Sequence, residues 1–181
     1  MNPDRDWRQV QQNNPLTKAF IDQVRDVDGV EEVKVKTFMN GKIPKLSMDG
    51  EIWDANIIGL DASYAETLEK GEIQGHVTYE ELEKGDKILM SANMLYWFPE
   101  LKVGDSLKMV LNMGDDQVEK TFEIGAIGDY YASLGGSSFY LPQSVLEKMN
   151  PNNLNYTLEI TVNDQKKNSA YQELQALCRQ Q

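Results

Sequence analysis

His76 is the only imidazole in the chain, and it lies in a polar, glycine-flanked stretch, where a surface histidine is the default reading. Serine chemistry would need a nucleophile on a sharp strand-to-helix elbow with Gly-x-Ser-x-Gly spacing. Gly135-Gly136-Ser137-Ser138 offers serines without that spacing. Cys178 is the only cysteine, so an internal disulfide and a cysteine-based metal site are both excluded. It falls on the apolar side of a predicted helix, where burial raises a thiol's pKa instead of activating it. There is no Gly-x-x-x-x-Gly-Lys phosphate loop, and Gly125-Ala126-Ile127-Gly128 reads as a glycine pair within a strand. Among the carboxylates, Asp26-Val27-Asp28-Gly29 and Gly114-Asp115-Asp116 come nearest to a calcium loop. Neither has the Asp-x-Asp-x-Asp-Gly register with a distal Glu, and both read as turns. Asn155-Tyr156-Thr157 matches a glycosylation acceptor, but it opens a predicted strand. These residues supply no catalytic, cofactor-binding or metal-ligating set. A small carboxylate-dependent hydrolase stays as a minor alternative.

Two aromatic clusters could make contacts instead. Tyr96-Trp97-Phe98-Pro99 reads either as an exposed anchor of the kind enriched at interfaces or as packing beneath a β-rich unit. Tyr130-Tyr131-Ala132-Ser133-Leu134 lies in a predicted loop, where aromatic rings are harder to bury. Tyr130, Tyr131, Leu134 and Trp97 are therefore the candidate partner-contact residues, and the three loop residues are expected to be replaceable without loss of folding.

Positioning these groups requires a folded chain, and the composition supports one. Hydrophobic residues make up 40% of the 181 positions, enough for a core. Eighteen Lys and Arg against 29 Asp and Glu leave a net charge of −11. Nucleic-acid binding needs clustered cations to release counterions, and the longest basic run is Lys166-Lys167. The longest apolar run, Met94 to Phe98, is far short of the roughly 20 residues that cross a bilayer. No basic segment leading into an apolar stretch opens the chain, so no signal peptide is expected. The sequence reads as a cytosolic protein or a soluble piece of something longer.

Periodicity assigns the elements. Residues 1–14 are polar and read as a tail or connector. Asn14-Pro15 looks like an N-cap with proline at the first helical position, and Leu16, Ala19, Phe20, Val24 and Val27 share one helical face up to Gly29. Lys18 in the first turn and Asp26 and Asp28 in the last oppose the macrodipole, at about 0.3–1 kcal/mol each, so packing must hold this helix. Val33, Val35 and Thr37 alternate as in a strand, and Asn40-Gly41 and Asp49-Gly50 both carry hairpin-turn signatures. Residues 51–60 are apolar on both faces, as in a central strand. A polar stretch with Gly71, Gly75 and Gly85 precedes a short strand over 87–90, a Ser91-capped helix over 92–98 and a hairpin turning at Gly114-Asp115-Asp116. A short helix starts at Pro142. A strand over 156–162 and a helix with a Ser169/Gln172 capping box close the chain.

The middle of this sequence resembles the extracytoplasmic MacB-like domains of FtsX-like bacterial ABC transporter permeases. The resemblance rests on Lys87-Ile88-Leu89-Met90-Ser91 followed by Leu101-Lys102-Val103-Gly104-Asp105-Ser106-Leu107, on Phe122-Glu123-Ile124-Gly125-Ala126-Ile127 and on Phe139-Tyr140-Leu141-Pro142. Asp28-Gly29-Val30-Glu31-Glu32-Val33 and Ile57-Ile58-Gly59-Leu60-Asp61 are similar to the family's first helix–strand step and to the strand end from which its insert departs. Order and spacing over about residues 15–178 carry the likeness. It implies an α+β fold: a porter-like α/β lobe (15–61 and 142–181, helices on a small mixed sheet) with an inserted β-rich lobe (62–141), and residues 1–14 as a connector from a membrane helix. It further implies a non-catalytic domain at the extracytoplasmic face of the cell membrane, with both chain ends pointing back at the bilayer. The implied partners are an ATP-binding subunit acting through transmembrane helices, an extracellular substrate or partner protein, and a second permease copy in a homodimer, with no cofactor and no nucleic acid. A free-standing surface-binding module of similar fold is the alternative.

Overall fold

The computed structural model describes residues 8–10, 18–113, 116–130, 138–149 and 155–180. The chain packs as two compact units, Met1–Val35 with Asn155–Gln181, and Lys36–Leu154.

In the first unit, helices α1 (Lys18–Arg25) and the C-terminal α5 (Lys167–Arg179) lie on strands β1 (Arg8–Val10), β9 (Asn155–Val162) and the opening residues of β2 (Val30–Met48), in sheet order β1-β9-β2. Every second residue of the strands points toward the helices. Val33 and Val35 from β2 and Leu158, Ile160 and Val162 from β9 thus meet Phe20, Ile21 and Val24 of α1 and Ala170 and Leu174 of α5 in one core. Gly29 makes the turn after α1 at φ +95°, and a Cβ there would sit 2.8 Å from the Lys166 Cβ. The Asn163 N–H donates to the Gly29 carbonyl at 2.7 Å, and Lys166 Nζ grips both Asp28 carboxylate oxygens at 2.8 and 3.0 Å. The end of α1 is thereby tied to the start of α5. Arg8 of β1 pairs with Ile160, near the C-terminal end of β9.

The second unit holds the remainder of β2 and β3 (Glu51–Leu60), α2 (Ala65–Gly71), β4 (Glu72–Gly75), α3 (Tyr79–Leu82), β5 (Lys87–Ser91), β6 (Ser106–Met113), β7 (Asp116–Gly128), β8 (Ser138–Pro142) and α4 (Gln143–Met149). Six of its strands form a closed ring of neighbours. β2 pairs with β3 through Met39 and Ile57. β3 runs parallel to β8 through Ile57 and Phe139, and β8 meets β5 through Phe139 and Met90. β5 runs parallel to β7 through Ile88 and Ile124, β7 pairs with β6 through Phe122 and Leu107, and β6 returns to β2 where Leu111 faces Gly41. Opposed residues project to the same side of a sheet, so these side chains fill one interior, and all are buried. On the outer side, Ile58, Leu60, Leu89, Ala126 and Tyr140 are covered by Tyr64, Leu68, Val77, Leu82 and Tyr130. Ring closure leaves few free edges; β4, paired among the described residues only with β7, is one.

The fold is α+β, with a mixed sheet, as expected. Several local expectations change. Arg8–Val10 is a strand where a connector was expected. Asn40-Gly41 is no turn: β2 runs through it, and the hairpin reverses at Asp49 and Gly50, both at positive φ. Gly41 instead permits a close approach, since a Cβ there would meet Ile57 Cδ1 at 2.5 Å and Leu111 Cδ2 at 3.1 Å. The polar stretch after Asp61 contains α2, β4 and α3, the last opened by a Thr78/Glu81 capping box. The expected helix over 92–98 is a 3-10 turn, Ala92–Tyr96. At α5 the Ser169/Gln172 box is not used: Asn163 Oδ1 accepts from the Gln165 N–H at 2.9 Å, and a 3-10 turn leads into the helix. The expected boundaries at 61/62 and 141/142 fall inside the larger unit, because β3 pairs directly with β8. Asn14-Pro15, Gly114-Asp115 and the loop at 131–137 lie outside the described residues.

Tyr130 has a place in this packing that the sequence reading missed. Its ring stacks edge-on against Tyr140 at 5.0 Å, and a Cβ on Gly71 or Gly128 would approach it to 2.6 or 2.3 Å. Two glycines thus make its slot. The ring is 1% exposed and its hydroxyl has no hydrogen-bond partner.

Gly41→Ala is expected to cost about 1–3 kcal/mol through overpacking at the ring closure, read as a lowered urea midpoint. Tyr130→Ala should cost about 3–5 kcal/mol, whereas Tyr130→Phe, which deletes only an unpaired buried hydroxyl, should be neutral or stabilising; a Phe variant as unstable as the Ala variant would contradict this packing.

Candidate partner-contact surface

Of the four residues singled out in the sequence, Tyr130 is a core residue and not a contact residue. It follows β7 directly, and the glycine slot draws its ring inward. Burial raises its hydroxyl pKa, and the nearby Glu72 carboxylate adds to the effect. Tyr140 is pushed up to about 12 by burial, opposed by the Ser138 hydroxyl. Both rings are neutral packing groups at physiological pH. Tyr131 and Leu134 lie outside the described residues.

Trp97 is where an anchor would have to be. Ser91 ends β5 and its hydroxyl accepts from the Asn93 N–H, starting the 3-10 turn. Met94, Phe98 and Leu101 are pulled into the interior at 0%, 5% and 5% exposure, and the Phe98 N–H closes back on the Met94 carbonyl at 2.9 Å. With its inward positions spent, the segment has to turn the rings between them outward. Tyr96 is 84% exposed and Trp97 37%. Trp97 leans on Trp53 of β3, with centroids 5.4 Å apart. Trp53 in turn meets Phe98 edge-on at 5.3 Å, and Tyr96 meets Trp97 edge-on at 5.3 Å. The four rings form a step from interior to solvent, through two edge contacts and one tilted contact.

Tyr96, part of the aromatic cluster read from the sequence, belongs to this surface, and so does Trp53, which the sequence reading did not select. Trp53 stands 43 positions before Tyr96 in the chain, and only the packing of β3 beside the 3-10 turn reveals their relation. Its indole Nε1 is buried without a hydrogen-bond partner. Such a surface offers flat, rigid, amphipathic contact area to another molecule.

His76 and the acidic residues are placed elsewhere. Its Nδ1 lies 2.7 Å from Glu72 Oε2. Among the described residues, no group of three or more His, Cys, Asp or Glu is arranged to hold a metal ion. Cys178 is half-buried, packed on the core of the first unit.

No protein-family model and no curated protein sequence matches this chain. Solved structures do. The extracellular domain of the noncanonic ABC-type transporter YknZ from Gram-positive bacteria is 17% identical over 93% of this chain and 80% of that one, with a TM-score of 0.56. The periplasmic region of MacB from Actinobacillus actinomycetemcomitans is 13% identical over 94% and 75%, with a TM-score of 0.60. A domain described as part of a permease protein from Porphyromonas gingivalis is 14% identical over 92% and 70%, with a TM-score of 0.54. At such identities the likeness concerns the fold, and it extends over nearly the whole chain. This chain has the MacB-like fold of extracytoplasmic ABC permease domains.

Proposed function

We propose that this chain is the extracytoplasmic domain of an ABC transporter permease subunit, a non-catalytic module that binds a substrate or partner protein and couples it to ATP-driven motion of transmembrane helices. The observation that carries the reading is the fold shared with YknZ, MacB and a third permease domain over 92–94% of this chain. The first unit suits the mechanical part. Its two helices share one core with β2 and β9, and the end of α1 is tied to the start of α5 through Asp28 and Lys166, so a displacement of either helix would move a packed body and not a loose loop. The second unit suits the contact part through Trp97 and Tyr96. ATP hydrolysis, in this reading, belongs to a cytoplasmic partner. No helix of the described residues is long and apolar enough to cross a membrane, so the reading requires spanning segments contributed by the native gene product.

The full-length native gene product, extracted in detergent, should co-purify with an ATP-hydrolysing subunit or domain. Replacing Tyr96 and Trp97 by Ala should leave that ATPase and the melting temperature close to wild type, while weakening capture of the extracellular partner about 30-fold, the level typical of a contact hot spot. A native product without membrane-spanning segments that captures no ATPase would overturn the proposal.

A further inference from the structure

Among the described residues, β4 is an edge strand of the larger unit. It is held on one side by β7, through Glu72 to Gly128 and Gly75 to Ala126, with a register break at Ile73. Ile73 is 62% exposed. The strand is four residues long, too short for its ladder alone to hold it firmly. A side chain supplies the rest. Glu72, whose side chain is 11% exposed, reaches across the turn that Gly75 makes at φ +73°. One of its oxygens accepts the Val77 N–H at 3.0 Å, and the other lies 2.7 Å from His76 Nδ1. Val77 is 4% exposed and packs in the same core cluster as Leu60, Leu68 and Tyr130. The carboxylate therefore closes a loop from the start of β4 to the residue that anchors the following segment.

We propose that Glu72 and His76 form a pH-sensitive clasp, which holds β4 and the turn to Val77 closed while His76 is protonated and slackens them when the imidazole is neutral. Among the described residues, the charged groups that act on the imidazole are Glu72 on β4, Glu69 on α2 and Glu81 on α3, all carboxylates. Glu81 is itself engaged, accepting the Thr78 N–H at 2.9 Å. A protonated imidazole gives this group a cation, and its Nδ1–H bond to Glu72 joins two full charges. A neutral ring leaves three carboxylates without that cation, and it donates to Glu72 only in the tautomer that keeps the proton on Nδ1. The hydrogen bond to Glu72, aided by its charge, raises the His76 pKa above the ordinary histidine value. The sign follows: the clasp is fully formed below the ordinary histidine pKa of about 6.5 and is lost as pH rises through the higher folded value.

The test is a proton–nitrogen NMR titration of the whole chain, with amide exchange measured at each pH for residues 72–77 and corrected for intrinsic base catalysis, using β8 amides as reference. His76 should titrate above the ordinary value. Protection of the 72–77 amides should fall across that titration by about tenfold for each unit by which its folded pKa exceeds that in the open turn. His76→Gln, at an exposed position, should fold and show flat relative protection. Glu72→Gln should return the imidazole toward its ordinary pKa. Flat protection in the unmodified chain, an equal fall in His76→Gln, or a histidine titrating at or below its ordinary value would each overturn the proposal.

Discussion

Closure of the six-strand ring depends on how closely β6 can lie against β2, and Gly41 decides that. At this one position the partner strand brings Leu111 against the backbone from one side while Ile57 fills the space from the other. Any side chain there would compete with both. Once β6 is seated, Leu107 and Leu111 complete an interior already lined by Met39, Ile57, Met90, Phe122, Ile124 and Phe139. Burial of that apolar area is the dominant favourable term available to the unit, at roughly 25 cal/mol per Å². Closure also satisfies backbone groups that would otherwise stand unpaired along an edge. The covered outer face follows from the same arrangement, since β3, β5 and β8 turn Ile58, Leu89 and Tyr140 outward together and so require a lid of Leu68, Val77, Leu82 and Tyr130.

The first unit is held by a different balance. Its ties at the α1–β2 and β9–α5 turns include the Lys166–Asp28 pair, whose side chains are half-exposed or more. Exposed pairs contribute about 0–1 kcal/mol, so this one fixes geometry more than it stabilises. The apolar stripe from Phe20 to Val24, set against alternating valines and isoleucine of β2 and β9, carries the stability. α1 ends at Arg25, and the Asp26 N–H closes its last turn onto the Asp22 carbonyl at 3.1 Å. Asp28 then becomes useful as the acceptor for Lys166.

The exposed aromatic step and the clasp arise from the same economy of packing. A short segment that must bury Met94, Phe98 and Leu101 has no inward direction left for Tyr96 and Trp97. Their exposure is a consequence of fold, and Trp53 supports them from a distant strand. β4 has no second strand neighbour among the described residues, and a carboxylate–imidazole pair takes over part of the work that a ladder would do. The excess of carboxylates, which the net charge of −11 registers for the whole chain, appears around His76 as three acidic neighbours from three elements.

Much of the fold was legible from periodicity alone. β3 over residues 51–60, the β6–β7 hairpin, the strand before Ser91 and the helix after Pro142 lie where alternation, glycine and proline put them, because those signals are local. The order of motifs such as Leu101-Lys102-Val103-Gly104-Asp105 was enough to suggest the MacB-like fold. What the sequence could not determine was which glycines turn the chain and which receive a neighbour. Asn40-Gly41 and Asp49-Gly50 carry the same local signature, and only the approach of Leu111 and Ile57 makes the first a packing site. Tyr130 looked like a loop aromatic for the same reason: the slot that buries it is built by Gly71 and Gly128, and Gly71 stands 59 positions before it. Trp53 joined the surface only when β3 came to lie beside residues 96–98. Hydrophobic pattern and turn chemistry are properties of neighbours in the chain; close approach, burial of a polar ring and the assembly of an exposed step are properties of neighbours in space.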